Sequence, residues 1–365
     1  MVGRRDANDP ATDDDRARPT SHAGILARGP GRPRTLWPVR RVLLWMARNA
    51  WLRQRIPRLW FARRAIRRFM PGEDQEAALE AAVGFQVEGL GTIFTRLGEN
   101  VTSMAEADAV AAHYLGLVDE IAARKLDGEP SVKLTQLGFD IEEARTMANA
   151  AAIAERAAQH GKTFWVDMEG SAYAERTIAF YERLKATHPN TGICLQAYLR
   201  RTAADIQRLL PLSPEIRLVK GAYAEPATIA YQTRHDVDAN YLALTVSMLE
   251  AAAAGSKIRV GLGTHDVRLV EQAAEHAMAL GLPRTAFEVQ MLYGIRMDQQ
   301  RRLAREGYLV RDLIAYGEAW YPWYMAARRA TGERAVRAPP DDRLRRNRTI
   351  ADVQRRAPRA SETGH

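Results

Sequence analysis

Six apolar runs in this 365-residue chain each stop at polar residues, and between them they offer five chemistries. The runs are SVKLTQLG (Ser131–Gly138), VDMEGSAY (Val166–Tyr173), CLQAYLRRT (Cys194–Thr202), RLVKGAY (Arg217–Tyr223), GTHD (Gly263–Asp266) and VQMLYG (Val289–Gly294). They offer an ammonium at Lys133, a carboxylate at Asp167, amides at Gln196 and Gln290, a guanidinium at Arg217 and an imidazole at His265. Lys133 and Asp167 would end adjacent strands, where about 4.8 Å between neighbours lets them pair. Such a pair can orient a substrate amine, and it serves equally well to seal a barrel rim. A fixed cation at Arg217 would stabilise negative charge that develops on an oxyanion or a reduced cofactor. Lys220, Gly221 and Ala222 follow it, and small residues let backbone approach a phosphate or a ring closely. Gln196, Thr264, His265 and Gln290 supply the hydrogen bonds that a polar heterocycle needs.

These groups can act together only if the strand ends converge. From residue 75 onward, apolar strand-length runs alternate with helical periods in about eight units, the number that closes a parallel (βα)8 barrel with its site at the strand C-termini. Several strands are apolar nearly throughout, as expected where both faces are covered. A doubly wound open sheet is the alternative, but no GxGxxG follows the first strand. The reading gives four segments: a polar, Pro/Gly-rich tail at 1–35, a basic amphipathic helical segment at 36–74, a catalytic barrel at 75–334 and a basic tail at 335–365. Arginines interleaved with Leu36–Phe69 fit a helix docked on the barrel with its charges in water. They also fit a helix that lies on a membrane surface.

Composition narrows the function classes. The net charge is +9, with much of the excess at the two ends. No apolar run is long enough to cross a bilayer, and the first 35 residues lack the apolar core of a signal peptide. The single cysteine, Cys194, excludes an internal disulfide, fits a reducing cytoplasm and is expected in the core. There is no HExxH, CxxC, GxSxG or Walker A sequence, so no metal set, serine nucleophile or P-loop is expected. No nucleic-acid partner is expected.

The stretch from about Arg67 to Tyr324 resembles the proline dehydrogenase family of flavoenzymes. The resemblance rests on RRFMPGE (67–73), RLGENVT (96–102), SVKLTQLG, VDMEGSAY, LQAYLRRT, IRLVKGAYAEP (216–226), VDANYL (237–242), THD, FEVQMLYGI (287–295) and YGEAWYPWYM (316–325), all in family order. It implies a distorted (βα)8 barrel that binds FAD, with a final helix over the mouth. It also implies oxidation of L-proline, or a close cyclic amine, to Δ1-pyrroline-5-carboxylate by hydride transfer to flavin, with electrons passed to a quinone. By position, Asp167 and Arg217 match catalytic residues. Met168, Gln196, Arg217, Lys220, Gly221, Ala222, Thr264, His265 and Gln290 match flavin contacts, and Lys133, Leu218, Tyr223 and Leu292 match the substrate pocket. Many relatives end in YPY-x-x-RR-L-x-E, whose paired arginines clamp the substrate carboxylate. Here Ala326 and Ala327 hold those places, with Arg328 and Arg329 two residues later and Glu333 out of step. Leu313 stands where many relatives carry a pocket tyrosine. A shifted helix that keeps Arg328 and Arg329 on the carboxylate, a different cyclic amine and a non-catalytic flavin-binding protein remain open readings of that end.

Overall fold

Eight strands, all parallel and each hydrogen-bonded to the next, close into a barrel in the order β1 to β8. The computed structural model describes residues 67–98 and 101–320. The strands are β1 (Gly91–Arg96), β2 (Gly128–Lys133), β3 (Phe164–Asp167), β4 (Thr191–Gln196), β5 (Glu215–Val219), β6 (Arg259–Gly263), β7 (Phe287–Leu292) and β8 (Leu309–Tyr316). Helix α1 (Gln75–Val87) precedes the first strand. Crossover helices α2 (Met104–Ala123), α3 (Glu143–Gln159), α4 (Ala174–Thr187), α5 (Thr202–Leu209), α6 (Arg234–Ala253), α7 (Val267–Ala279) and α8 (Met297–Arg305) follow β1 to β7 in turn. The expected (βα)8 class is therefore observed.

Local chemistry sets the helix starts. Asp74 Oδ1 accepts from the Ala77 amide at 2.7 Å and opens α1. Ser103 caps α2 through the Glu106 amide, while Glu106 reaches back to the Thr102 amide at 2.8 Å. Thr233 caps α6 through the Asp236 amide at 3.1 Å. The alternating faces of the strands then divide the interior in two. Outward residues such as Phe94, Phe164, Ile193, Ile216, Leu218 and Val289 are fully buried against the helices and form the apolar core. Inward residues are far more polar, and it is these that the mouth presents.

Several strands end earlier than their apolar runs suggest. The SVKLTQL run has strand length and composition to residue 137, but β2 stops at Lys133 and Leu134–Leu137 form a short 3-10 helix. The Lys133 amide donates to the Gln136 side chain at 3.2 Å, which bends the chain out of the ladder. Gly138 then takes φ +93°, a conformation costly for any residue with a Cβ. The last pairing between β2 and β3 joins Lys133 to Asp167, so the strand ladder ends at the charged pair.

The end of the basic segment packs on the barrel. Phe69 and Met70 are buried against Leu97, Ile295, Ala315 and Trp320. Gly294 makes room: a Cβ there would fall 1.6 Å from the Arg68 carbonyl oxygen. The expected helices within 36–66, the tails at 1–35 and 335–365, and the final helix beyond Trp320 lie outside the described residues.

Candidate active site

Strand alternation aims the site residues. On β2, Glu129, Ser131 and Lys133 are spaced by two and share the inward face. On β3 the inward residues are Trp165 and Asp167, on β5 Glu215, Arg217 and Val219, and on β7 Glu288, Gln290 and Leu292. Each set climbs from the strand N-terminus at the barrel floor to the open mouth.

At the centre, Arg217 is 2% exposed and forms an ion pair with Asp167 Oδ1. Its Nη2 also donates to Ser131 Oγ at 2.7 Å, and Ser131 Oγ donates to Asp167 Oδ1 at 2.9 Å. Lys133 Nζ stands 3.9 Å from the other Asp167 oxygen. One carboxylate is thus held between two cations, which leaves this trio net positive. Burial works against the Arg217 charge and is the largest single influence, but Asp167, Cys194 and Glu129 together outweigh it and hold the guanidinium pKa above its ordinary value. The structure therefore brings Lys133, Asp167 and Arg217 together as the sequence suggested.

Below this layer lies a charged floor. The Arg217 guanidinium stacks on the Trp165 ring at 5.0 Å, and Arg259 lies over the same ring at 5.3 Å. Arg259 binds Glu129 and Glu215 at 2.9 Å and Glu288 at 3.1 Å. Arg311 binds Glu288 at 2.8 Å, and Trp165 Nε1 donates to Glu129 at 2.7 Å.

Around the mouth, Gln196 is buried and its Nε2 donates to the Glu169 carbonyl at 3.2 Å. Met168 and Thr264 are also buried. Lys220 is paired with Asp238 and lies 3.3 Å from Asp266. Gly221 adopts φ +108°, and a Cβ there would meet the Tyr198 ring at 2.3 Å. Ala222, Tyr223 and Leu292 are partly buried after their strands or at their ends. Burial, helped by Arg296, lowers the His265 pKa to about 4, so the ring is neutral at physiological pH. The Leu292 amide donates to His265 Nε2 at 3.3 Å, so the ring proton sits on Nδ1. At the β1/β8 side, Leu313 faces inward, in register with Leu292 and Ile93.

One expected residue lies off the inward face. Leu218 was read as a pocket wall, but it lies between inward-facing Arg217 and Val219, is fully buried and belongs to the layer under the helices. Period-two alternation places Val219 on the inward face instead, and a Cβ on Gly263 would meet Val219 Cγ1 at 2.7 Å. Arg328 and Arg329 lie outside the described residues, so the structure neither gathers nor separates them from the trio. The reading by strand ends missed Ser131, Trp165, Val219 and the floor. Alternate polar residues inside otherwise apolar strands are the signal that would have found them.

Ser131→Ala gives a direct check on the central triangle. It removes one hydrogen bond to each buried charge, each worth about 1.5–3 kcal/mol when a charge is involved. Because Arg217 and Asp167 still pair directly, we expect a net loss of about 1.5–3 kcal/mol, read from the urea midpoint at unchanged m-value.

A closed parallel barrel with a charged trio, built around buried Arg217, at its C-terminal mouth defines a (βα)8-barrel enzyme. The family model described as proline dehydrogenase matches residues 78–326. Proline dehydrogenase 1 of Bacillus subtilis subsp. natto is 33% identical over 287 residues, covering 79% of this chain and 93% of that protein. Proline dehydrogenase of Deinococcus radiodurans is 36% identical over 262 residues, covering 70% of this chain and 83% of that one. The chain belongs to the proline dehydrogenase family. Among solved structures, proline utilization A from Bdellovibrio bacteriovorus, inactivated by N-propargylglycine, superposes with a TM-score of 0.67 at 24% identity. That match spans 73% of this chain but only 32% of the larger protein, and it speaks for the fold.

Proposed function

We propose that this chain oxidises L-proline to Δ1-pyrroline-5-carboxylate with FAD and passes the electrons to a quinone. The observation that carries the reading is the Lys133–Asp167–Arg217 trio, set among buried polar atoms that have no hydrogen-bond partner. Gln196 Oε1, Arg217 Nη1, His265 Nδ1 and Gln290 Oε1 are all of this kind. Leaving such atoms unsatisfied costs about 1–3 kcal/mol each, so their convergence fits a heterocycle with donors and acceptors on its edge.

Bound FAD would supply a two-electron acceptor for hydride. The chain's own residues do the rest. Oxidation breaks the C–H bond beside the proline nitrogen and removes an N–H proton, forming the C=N bond. Arg217, fixed by Asp167 and Ser131, places a permanent positive charge where negative charge grows on the acceptor. Lys133 and Asp167 set the charge beside the amine, and the net positive trio favours a substrate that carries a carboxylate. Leu292, Val219 and Leu313 offer apolar surface to a pyrrolidine ring. Arg328 and Arg329 are proposed to bind the carboxylate from the segment beyond Tyr316. Residues 36–71 are the proposed route of contact with a membrane that carries quinone; among the described residues no helix is long and apolar enough to cross one.

Anaerobic titration of the purified holoprotein tests this reading. L-proline should bleach the flavin absorbance, with trans-4-hydroxy-L-proline and pipecolate weaker. Bleaching by pipecolate alone would transfer the activity to another cyclic amine, and a flavin that none of the three reduces would refute the reading.

A further inference from the structure

Gln290 is two residues beyond Glu288 on the inward face of β7, and both are almost fully buried. Its Nε2 donates to Glu288 Oε1 at 2.7 Å. Glu288 in turn accepts from Arg259 at 3.1 Å and from Arg311 at 2.8 Å. Burial pushes the Glu288 pKa up, but Arg311 and Arg259 pull harder and hold it below the ordinary glutamate value. An ionised carboxylate can only accept hydrogen bonds. The two ends of a glutamine amide look alike in shape and are told apart by their partners, and here the partner admits the NH2 end alone. The opposite end, Oε1, is buried without a partner. Gly261 on β6 completes the seat: a Cβ there would come within 2.9 Å of Gln290 Nε2, so the amide lies flat over the glycine.

We propose that Glu288 is a positioning residue that locks the Gln290 amide with its oxygen toward the cofactor. This point of the site then accepts an imide N–H from the pyrimidine edge of the bound ring. The inference rests on the flavin reading above and adds to it the polarity of one contact and the group that enforces it. A neutral side chain at 288 can both donate and accept, so the Gln290 amide is free to turn over.

The test is reconstitution of the full-length apoprotein with FAD, followed by flavin fluorescence quenching, for wild type, Glu288→Gln, Gln290→Met and the double variant. Each single change should weaken FAD binding roughly 5–10-fold, the scale of one neutral hydrogen bond. The double variant should be no weaker than the worse single one, because both remove the same contact. The imide N–H proton resonance of 15N-labelled flavin should lie downfield in wild type and move upfield in both single variants. Should Glu288→Gln fail to fold, Glu288→Asp keeps the charge for Arg259 and Arg311 but falls short of the amide, and the same loss is expected. Losses that multiply in the double variant, or an unchanged imide resonance in the Glu288 variants, overturn the proposal while leaving FAD binding intact. Wild-type apoprotein that takes up no FAD overturns the flavin reading and this inference together.

Discussion

Arg217→Ala is expected to slow flavin reduction by proline about 100- to 1000-fold, the range seen when one preorganised donor to developing charge is removed. The loss should be larger than a single exposed arginine would produce, because Arg217 is 2% exposed and water cannot take its place cheaply. The change also strands Asp167, whose charge now rests on that guanidinium and on Lys133 at 3.9 Å. Arg217→Lys keeps a charge but loses the second guanidinium nitrogen, Nη1, which is left over once Nη2 serves Ser131 and Asp167, so it should recover only part of the rate. Stopped-flow reduction under anaerobic conditions, with flavin content matched between proteins, reads these outcomes. A reduction rate equal to wild type in Arg217→Ala would remove Arg217 from the chemistry.

The barrel and the charged trio were legible in the sequence for a common reason. A parallel strand covered by helices must be apolar on its outer face, so a polar residue at its end stands out. Lys133, Asp167 and Gln196 were found that way. The floor was hidden because Glu129, Glu215, Arg259, Glu288 and Arg311 lie near strand beginnings, where charges read as the ends of loops. Only the closed topology makes them meet, since Arg259 and Glu129 are 130 residues apart. Ser131 was passed over as an ordinary strand residue, and its role appears only when β2, β3 and β5 face one another. The error at Leu218 has the same origin: a motif read as a string ignores that neighbouring residues on a strand face opposite ways. The early end of β2 depended on a side chain, Gln136, bonding to the Lys133 backbone, which no apolar pattern encodes.

The floor carries the second large prediction, and it concerns stability. Arg259→Met fills similar volume but removes the one cation shared by Glu129, Glu215 and Glu288. Arg311 still serves Glu288 at 2.8 Å, yet it stands 3.7 Å from Glu129, so it replaces only part of what Arg259 supplies. Breaking a buried charge network by removing one partner costs about 3–5 kcal/mol. At about 2–4 °C per kcal/mol for a domain of this class, Tm should fall by roughly 6–20 °C. The sign of the pH effect is fixed by the carboxylates. In the wild type the Glu288 pKa is lowered, so its contribution is fully present above the unfolded value and is lost as pH falls through the folded one. In the variant, Glu288 keeps its burial but loses Arg259, one of the two cations that hold its pKa down, so its pKa moves up from the wild-type position. The deficit against wild type therefore grows as pH rises and should be larger at pH ~8 than at pH ~5.5. Adding Glu215→Gln should restore part of the loss, because one of the stranded charges is gone. Thermal unfolding of the three proteins at both pH values decides the matter: a deficit equal at the two pH values would mean that Arg259 stabilises the barrel by packing on Trp165 and not by holding the carboxylates ionised.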